Sequence, residues 1–413
     1  MGLKTIGING LGRIGKLTLW YHLAKKDFKE IVVNVGRQAG TSLNDIAQYI
    51  ETDSTYGSLR KYLYGFNVKP CISDVDDASG KMTIDGIKVS VLRKSRNPKE
   101  LNWKENGVDL VVDTTGAFVD PTRQADDPKG SLRGHIESGA KKVIVSAPFK
   151  IKDKAAVMPD DAVTSVMGIN EHDVDLSRHQ LISAASCTTT CLAHTIKPLI
   201  DVIGAKKILS ASMATVHAAT GTQEVLDRLA GSGAKDLRKS RSIFNNIILT
   251  TTGAADTLAL VIPEMKRIGF IAESVRVPIT TGSLVILIVN VQEEPSTIVI
   301  TRKYLNDIYE QAAKNSLRGY IVYSNEQNVS TDIISTPSAA VIIEGSETHT
   351  RTAEISVDLG KVAGIKKDLI ERMEESILRI PVTQAVIYGW YDNEMGSYVH
   401  MLGELTGFIA NSF

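Results

Sequence analysis

The sequence predicts an α/β fold in two parts, a parallel sheet with covering helices and then an α+β domain on a mostly antiparallel sheet. Three observations predict it. The first half alternates short β-branched runs with helical stretches, the pattern of βαβ units. The second half spaces its strand-like runs with longer helical or irregular pieces, which suits a mixed or antiparallel sheet with helices on one face. At 413 residues the chain exceeds one ordinary core, so at least two domains are expected.

Taken in order, Thr5–Asn9 reads as a strand, followed by a glycine-rich turn and a helix over residues 13–26. Glu30–Asn34 is a β-branched strand, residues 43–50 a helix, and residues 108–113 and 142–146 two buried strands with helix potential between them. Alternation from Val68 to Val91 around the turn-like Asp76-Asp-Ala-Ser-Gly80 predicts an inserted hairpin. Further on, residues 208–216, 274–278, 284–291, 352–357 and 385–390 read as strands. The amphipathic stretch 366–378 reads as a helix, and residues 397–410 are apolar enough for a closing helix. A boundary is expected near Ala185, between a strand at 180–183 and a helix that Cys187 opens.

Hydrophobic residues make up 43% and charged residues 23%, with Lys plus Arg equal to Asp plus Glu at 47 each. A net charge of zero offers no electrostatic footprint for nucleic acid or an acidic membrane surface. No run approaches the ~18 apolar residues of a membrane span. Met1–Asn9 enters an apolar strand with no basic region or cleavage-like site ahead of it, so no signal peptide and a cytoplasmic location are expected. Cys71, Cys187 and Cys191 are too few, and odd in number, for a disulfide framework. Cys187 and Cys191 are four apart, but no second ligand pair at zinc spacing accompanies them, so no metal site is expected.

Gly10-Leu-Gly12-Arg-Ile-Gly15 is a G-x-G-x-x-G directly after a strand and at the head of a helix. Gly10 permits the tight turn, Gly12 lets backbone approach a pyrophosphate, and Gly15 lets the helix pack on the strand. That context makes the first part a dinucleotide-binding Rossmann domain. The expected ribose-binding carboxylate is missing at the end of the second strand, where Val35-Gly36-Arg37 stands. A cation there suits a 2′-phosphate, so NADP is expected alongside NAD, with Arg37 as its contact.

Cys187 would stand in the first turn of a helix, where the dipole favours thiolate. His217 ends a strand thirty residues later, and strand ends converge on one sheet edge, so the pair could act as nucleophile and base. From spacing alone, a buried structural cysteine and a core histidine are the commoner arrangement. Ser186, Thr188, Thr220, Thr222 and Thr252-Gly253 could offer donors to phosphate oxygens, and Arg276 a charge-assisted fork. Serine and threonine are also ordinary turn and cap residues.

These stretches, together with Asp53-Ser-Thr-Tyr-Gly57, Thr114-Thr-Gly116, Gly139–Pro148, Ala185-Ser-Cys-Thr-Thr189, Thr215-Val-His-Ala218, Val275-Arg-Val-Pro278 and Trp390-Tyr-Asp-Asn-Glu394, closely resemble the phosphorylating glyceraldehyde-3-phosphate dehydrogenase family. They run in the family's order along nearly the whole chain. The resemblance implies a homotetramer with domains at residues 1–185 and 186–396 and a last helix, 397–413, packed back on the first. It implies that Cys187 forms a thiohemiacetal and then a thioester with the aldehyde, that His217 is the base, and that inorganic phosphate opens the thioester. Arg13, Ile14, Thr115 and Ser146 match cofactor-binding positions, and Asn393 the nicotinamide amide contact. Thr220 and Arg276 match the substrate-phosphate site, and Ser186, Thr188, Thr252 and Gly253 the attacking-phosphate site. Another phosphorylated aldehyde such as erythrose 4-phosphate, or a non-catalytic redox-sensing or binding role, are the alternatives. Val35, Thr190 and Met395 depart from the family pattern, and extra residues fall around 120–132, 150–162 and 344–381.

Overall fold

A computed structural model describes residues 5–66, 69–153, 155–294, 299–315, 319–334, 336, 338–373 and 375–413. β1 (Thr5–Asn9) leads into α1 (Arg13–Lys25), β2 (Glu30–Asn34) and α2 (Leu43–Glu51). A two-residue ladder follows, β3 (Thr52–Asp53) with β4 (Gly57–Ser58), then α3 (Leu59–Tyr64). Next come β5 (Ile72–Asp76), β6 (Lys81–Ile84), β7 (Ile87–Leu92), β8 (Leu110–Asp113), α4 (Leu132–Glu137), β9 (Lys142–Val145), β10 (Ala162–Thr164) and β11 (Leu181–Ser183).

These strands form a nine-stranded sheet in the order β10-β11-β9-β8-β1-β2-β7-β6-β5, parallel except at β5–β6 and β6–β7. β1, β2 and β8 are almost wholly buried, which is why they read as continuous apolar runs rather than alternating ones. The hairpin expected from Val68 is larger than an insertion. β5 and β6 pair as a hairpin, and β7 returns to lie parallel to β2, extending the main sheet; Val68 itself lies outside the described residues.

The second half runs α5 (Cys187–Ile203), β12 (Ile208–Ala218), β13 (Ile248–Thr250), α6 (Ala254–Val261), β14 (Gly269–Val277), β15 (Ser283–Gln292), α7 (Arg302–Asn315), β16 (Ile321–Ser324) and β17 (Val341–Glu344). β18 (His349–Asp358), α8 (Lys367–Ile370), β19 (Ile377–Tyr391), a π-helical turn (Met395–Val399) and α9 (His400–Ala410) complete it. The sheet order is β13-β14-β12-β15-β19-β17-β16, with β18 also on β19, and most of its pairings are antiparallel. Burial alternates strictly along β15. Its inward Val285, Leu287 and Val289 pack under Cys191, Leu192 and Ile196 of α5. Each large aliphatic buried there contributes about 1.5–3 kcal/mol.

The helix expected over residues 366–378 is not formed. Only Lys367–Ile370 is helical, and β19 starts at Ile377. β18 and β19 pair in continuous register from His349↔Val386 to Asp358↔Ile377. A single helical turn cannot offset its nucleation cost, whereas the ladder gains backbone hydrogen bonds at every step. α9 lies against α1, where a Cβ at Gly403 would come within 2.2 Å of the Tyr21 ring. Among the described residues no helix is long and apolar enough to cross a membrane.

Candidate active site

The dinucleotide loop has the geometry its glycines suggest. Gly10 has φ 96°, and a Cβ on Gly15 would lie 2.0 Å from the Gly10 carbonyl oxygen. Neither position tolerates a side chain. A Cβ on Gly12 would meet nothing within 4 Å, and no side chain caps the N-terminus of α1. The first-turn N–H groups are therefore left for an anion. Beside them a cavity of about 490 Å³ is lined by Leu11, Gly12, Val35, Ile46 and Tyr49, with Arg37 at its exposed rim. An open backbone cradle joined to an apolar slot fits a dinucleotide's pyrophosphate and adenosine. Ile14 is half-buried against the domain core. Thr115 donates its hydroxyl to Asp113 at 2.7 Å and is itself exposed.

Arg13 is placed differently from a simple cofactor contact. Its guanidinium bridges Asp53 and Glu394, joining the dinucleotide helix to the turn that carries Asn393. Asp53 also takes Lys16 Nζ at 2.8 Å. Burial pushes its carboxyl up, but the hydrogen bonds from Lys16 and Arg13 outweigh that and bring it to about 2. Asp392 anchors the turn from inside, accepting from Tyr56 at 2.8 Å, Thr281 at 2.7 Å and the Gly396 N–H at 2.8 Å. The Asn393 side-chain oxygen accepts from Ser283 at 2.9 Å and lies 3.1 Å from the Thr281 hydroxyl, whose proton goes to Asp392. Its amide nitrogen takes no part in those bonds, so the NH₂ end is oriented as a donor.

The nucleophile candidate sits where two constraints meet. Ser186 is the N-cap of α5, its hydroxyl accepting the Thr189 N–H at 3.2 Å, so the helix opens at Cys187. Just before it, Ala185 adopts the left-handed region with φ 55° and is fully buried. That conformation costs a residue with a Cβ about 1–2 kcal/mol. Opposite, β12 and β14 pair in parallel with His217 beside Arg276. His217 Nε2 lies 3.4 Å from Cys187 Sγ, and its Nδ1 lies 2.8 Å from the Ala218 carbonyl.

Donation from Nδ1 to that carbonyl leaves Nε2 as the acceptor facing the thiol. Arg276 Nη1 also reaches the Ala218 carbonyl at 2.9 Å and crowds His217 Nδ1. Burial, and then the Arg276 charge, hold the His217 imidazole down at about 3. Burial also pushes the Cys187 thiol up, opposed by Arg276 and by bonding to Thr188. Burial thus opposes the thiolate that the position in the first turn favours, and it keeps the His217 imidazole in its neutral form.

The hydroxyls expected near the pair divide. Thr188 is buried and meets the Tyr391 hydroxyl at 3.0 Å, which also meets Thr215 at 2.8 Å. Thr220 and Thr222 stand together at 3.0 Å on the loop after β12. Thr252 accepts the Ala254 N–H at 3.2 Å, and Gly253 is the N-cap of α6. Arg276, expected as a phosphate fork, is turned onto His217 and Ala218, and its buried Nε has no hydrogen-bond partner among the described residues. Sequence reasoning assigned no role to Asp53, Glu394, Thr281, Ser283, Tyr391 or Tyr398. The first two stand in motifs already noticed, and their charge sign was the signal that could have found them as partners of Arg13.

A Rossmann sheet with an open dinucleotide cradle, joined to a domain presenting a thiol to a histidine, defines a nicotinamide-dependent class of protein. The sequence model of the glyceraldehyde 3-phosphate dehydrogenase NAD binding domain matches residues 4–121, and that of the C-terminal domain matches residues 186–363. The chain is 37% identical over 338 residues to glyceraldehyde-3-phosphate dehydrogenase 2 of Bacillus subtilis (strain 168), covering 82% of this chain and 85% of the relative. It is 34% identical over 408 residues to glyceraldehyde-3-phosphate dehydrogenase 2 of Streptomyces avermitilis, and 33% over 407 to glyceraldehyde-3-phosphate dehydrogenase of Geobacillus stearothermophilus, with 98% of both chains covered in each case. The chain belongs to the glyceraldehyde 3-phosphate dehydrogenase family.

Proposed function

We propose that this protein oxidises glyceraldehyde 3-phosphate with inorganic phosphate to 1,3-bisphosphoglycerate, reducing NAD or NADP. The observation that carries the reading is the 3.4 Å approach of Cys187 Sγ to His217 Nε2 at the start of α5. Sulfur attacks the aldehyde carbon while the thiol proton moves through His217 to the carbonyl oxygen, giving a thiohemiacetal. When bound, the nicotinamide supplies the acceptor for the hydride that leaves this carbon. His217 takes the hydroxyl proton, and a thioester remains on Cys187. A phosphate oxygen then adds to the thioester carbon, the C–S bond breaks, and the acyl phosphate departs. Arg276, a permanent cation beside this pair, would draw phosphate groups to it, with Ser186, Thr188, Thr252 and Gly253 on the attacking phosphate and Thr220 and Thr222 on the substrate's own. Gly10, Gly12, Ile14, Gly15, Thr115, Ser146 and the Asn393 amide would hold the cofactor.

Omitting inorganic phosphate while supplying glyceraldehyde 3-phosphate and either cofactor tests this chemistry. One turnover per site followed by a stall is expected, because water is a poor substitute for phosphate. Sustained NAD(P)H formation without phosphate would refute acyl-phosphate formation. Erythrose 4-phosphate in the same assay should give a lower kcat/KM.

Arg37 supports use of NADP, since it stands at the cavity rim beside Val35, where the ribose-binding carboxylate expected after β2 is missing; Asp45 also lines the cavity, with its carboxylate held by Thr41 and Ser42. Arg37→Ala should raise KM for NADP about tenfold, the loss of one charge-assisted contact, with KM for NAD little changed. Equal effects on both would sink the assignment.

Domains at 1–185 and 186–396, with 397–413 returning to the first, are part of this reading. So is assembly into a homotetramer, supported by the half-buried sheet face bearing Leu284, Ile286 and Ile288, and by exposed Leu226, Leu229 and Ile247 on the long loop after β12.

A further inference from the structure

Between β11 and α5 the chain makes a tight passage that aims Cys187. Its pivot is Ala185, buried and at φ 55°. A conformation that a Cβ disfavours persists only where its surroundings hold it, and here two hydroxyls do. The Ser183 hydroxyl accepts the Ala185 N–H at 3.1 Å and donates to the Ala147 carbonyl at 2.7 Å. On the other side, the Tyr398 hydroxyl reaches the Ala185 carbonyl at 3.4 Å and Ser146 Oγ at 3.1 Å.

A phenol has one proton to donate. A carbonyl can only accept, so that proton belongs to Ala185, and Ser146 becomes the donor to Tyr398. The result is a directed chain from the Ser146 hydroxyl through Tyr398 to the Ala185 carbonyl. Residues 146–147 are thereby stitched twice to residues 183–185.

Tyr398 is placed for this by an irregularity in the backbone. The Val399 N–H bonds the Glu394 carbonyl at 2.7 Å, five residues back, within the π-helical turn Met395–Val399. Such single wide turns are rare and recur at functional sites. Ser397 and Asp392 fasten it, through the Asp392 N–H to Ser397 at 3.0 Å and the Gly396 N–H to Asp392 at 2.8 Å. The phenol is buried, and that burial holds its proton on.

We propose that Tyr398 is a positioning residue: by bridging Ser146 and the left-handed Ala185, it sets the approach of Cys187 to His217. The proposal rests on Cys187 being the reactive thiol. It extends that reading by making the loop after β9, where a cofactor is expected, a determinant of nucleophile geometry.

Alkylation of Cys187 by iodoacetamide, followed by peptide mass mapping in the full-length protein without cofactor, tests it separately from turnover. Tyr398→Phe keeps the ring and removes the bridge. Alkylation at pH 7 should slow about tenfold, and kcat should fall about 10–100-fold with KM for the cofactor nearly unchanged, the scale of a misplaced reacting group. Adding Ala185→Gly to Tyr398→Phe should restore most of the alkylation rate, because glycine holds φ 55° without help. Ser146→Ala leaves the aromatic packing intact and should slow alkylation in the same direction, by less. An unchanged alkylation rate in both single variants, or a loss that Ala185→Gly does not relieve, would overturn the proposal. Absence of any Cys187 alkylation in the unaltered protein would instead count against the reactive-thiol reading itself.

Discussion

Cys187→Ser should have no measurable dehydrogenase turnover, while His217→Gln should retain activity lowered roughly 10²–10⁴-fold, the range for loss of a general base. The two effects differ because the residues do different things. A serine hydroxyl in the same place is far less acidic than a thiol and makes a poor leaving group in phosphorolysis, so both halves of the proposed reaction should fail. Without His217 the thiol still stands at the start of α5 beside Arg276, and reaction then draws on the fraction ionised without a base. Burial has already pushed that thiol up, so the His217 variant should regain activity as pH rises towards and beyond the ordinary thiol range. A pH series of kcat/KM for both variants checks this. Full activity in Cys187→Ser would reject covalent catalysis, and a flat profile for His217→Gln would contradict a thiol pushed up by burial.

Stability should fall steeply between pH 6.5 and 4. Burial is the main cause holding His217 at about 3 and His194 and His400 at about 4; His22 is lowered by burial as well. The folded protein therefore keeps these rings neutral at acidities where the unfolded chain protonates them below about 6.5. The unfolded state binds more protons in that window, so stability is fully present above it and is lost as pH falls. At pH 5 each of His217, His194 and His400 costs about 2 kcal/mol, and together they approach the whole stability of a typical domain. Carboxylates such as Asp53, lowered to about 2, stabilise throughout this window and lose that contribution only as pH falls below the ordinary carboxyl range. Urea midpoints at pH 7, 6 and 5 measure the slope, and His400→Gln should shallow it by about 1.4 kcal/mol per pH unit. Equal midpoints at pH 7 and 5 would contradict the picture.

Much of this was legible without coordinates, for particular reasons. The strand–glycine–helix segment from Thr5 to Lys25 is local: turn chemistry, strand apolarity and helix start all act within a few residues of one another. The opening of α5 at Cys187 is likewise announced by its Ser186 cap. The 366–378 stretch was misread because its amphipathic spacing competes with a ladder partner, β18, whose pairing no local pattern reveals. The desolvation of the thiol is hidden from the sequence for the same reason: a helix start favours thiolate, and the burial that opposes it is a property of the packed site.

What the sequence determined by itself is the inventory: a dinucleotide loop, a thiol at a helix start, a histidine at a strand end, and the cation Arg37 near the second strand. Tertiary structure alone decided the relations among them. The β12–β14 register set Arg276 beside His217. The Arg13 bridge to Asp53 and Glu394, across 40 and 381 residues of separation, tied the cofactor loop to Asn393. A π-helical turn, Met395–Val399, brought Tyr398 to Ala185, the residue before the Ser186 cap of α5. Hydrogen bonds, charges and desolvation act over a few ångströms of space, and sequence patterns report only the neighbours that the chain itself keeps close.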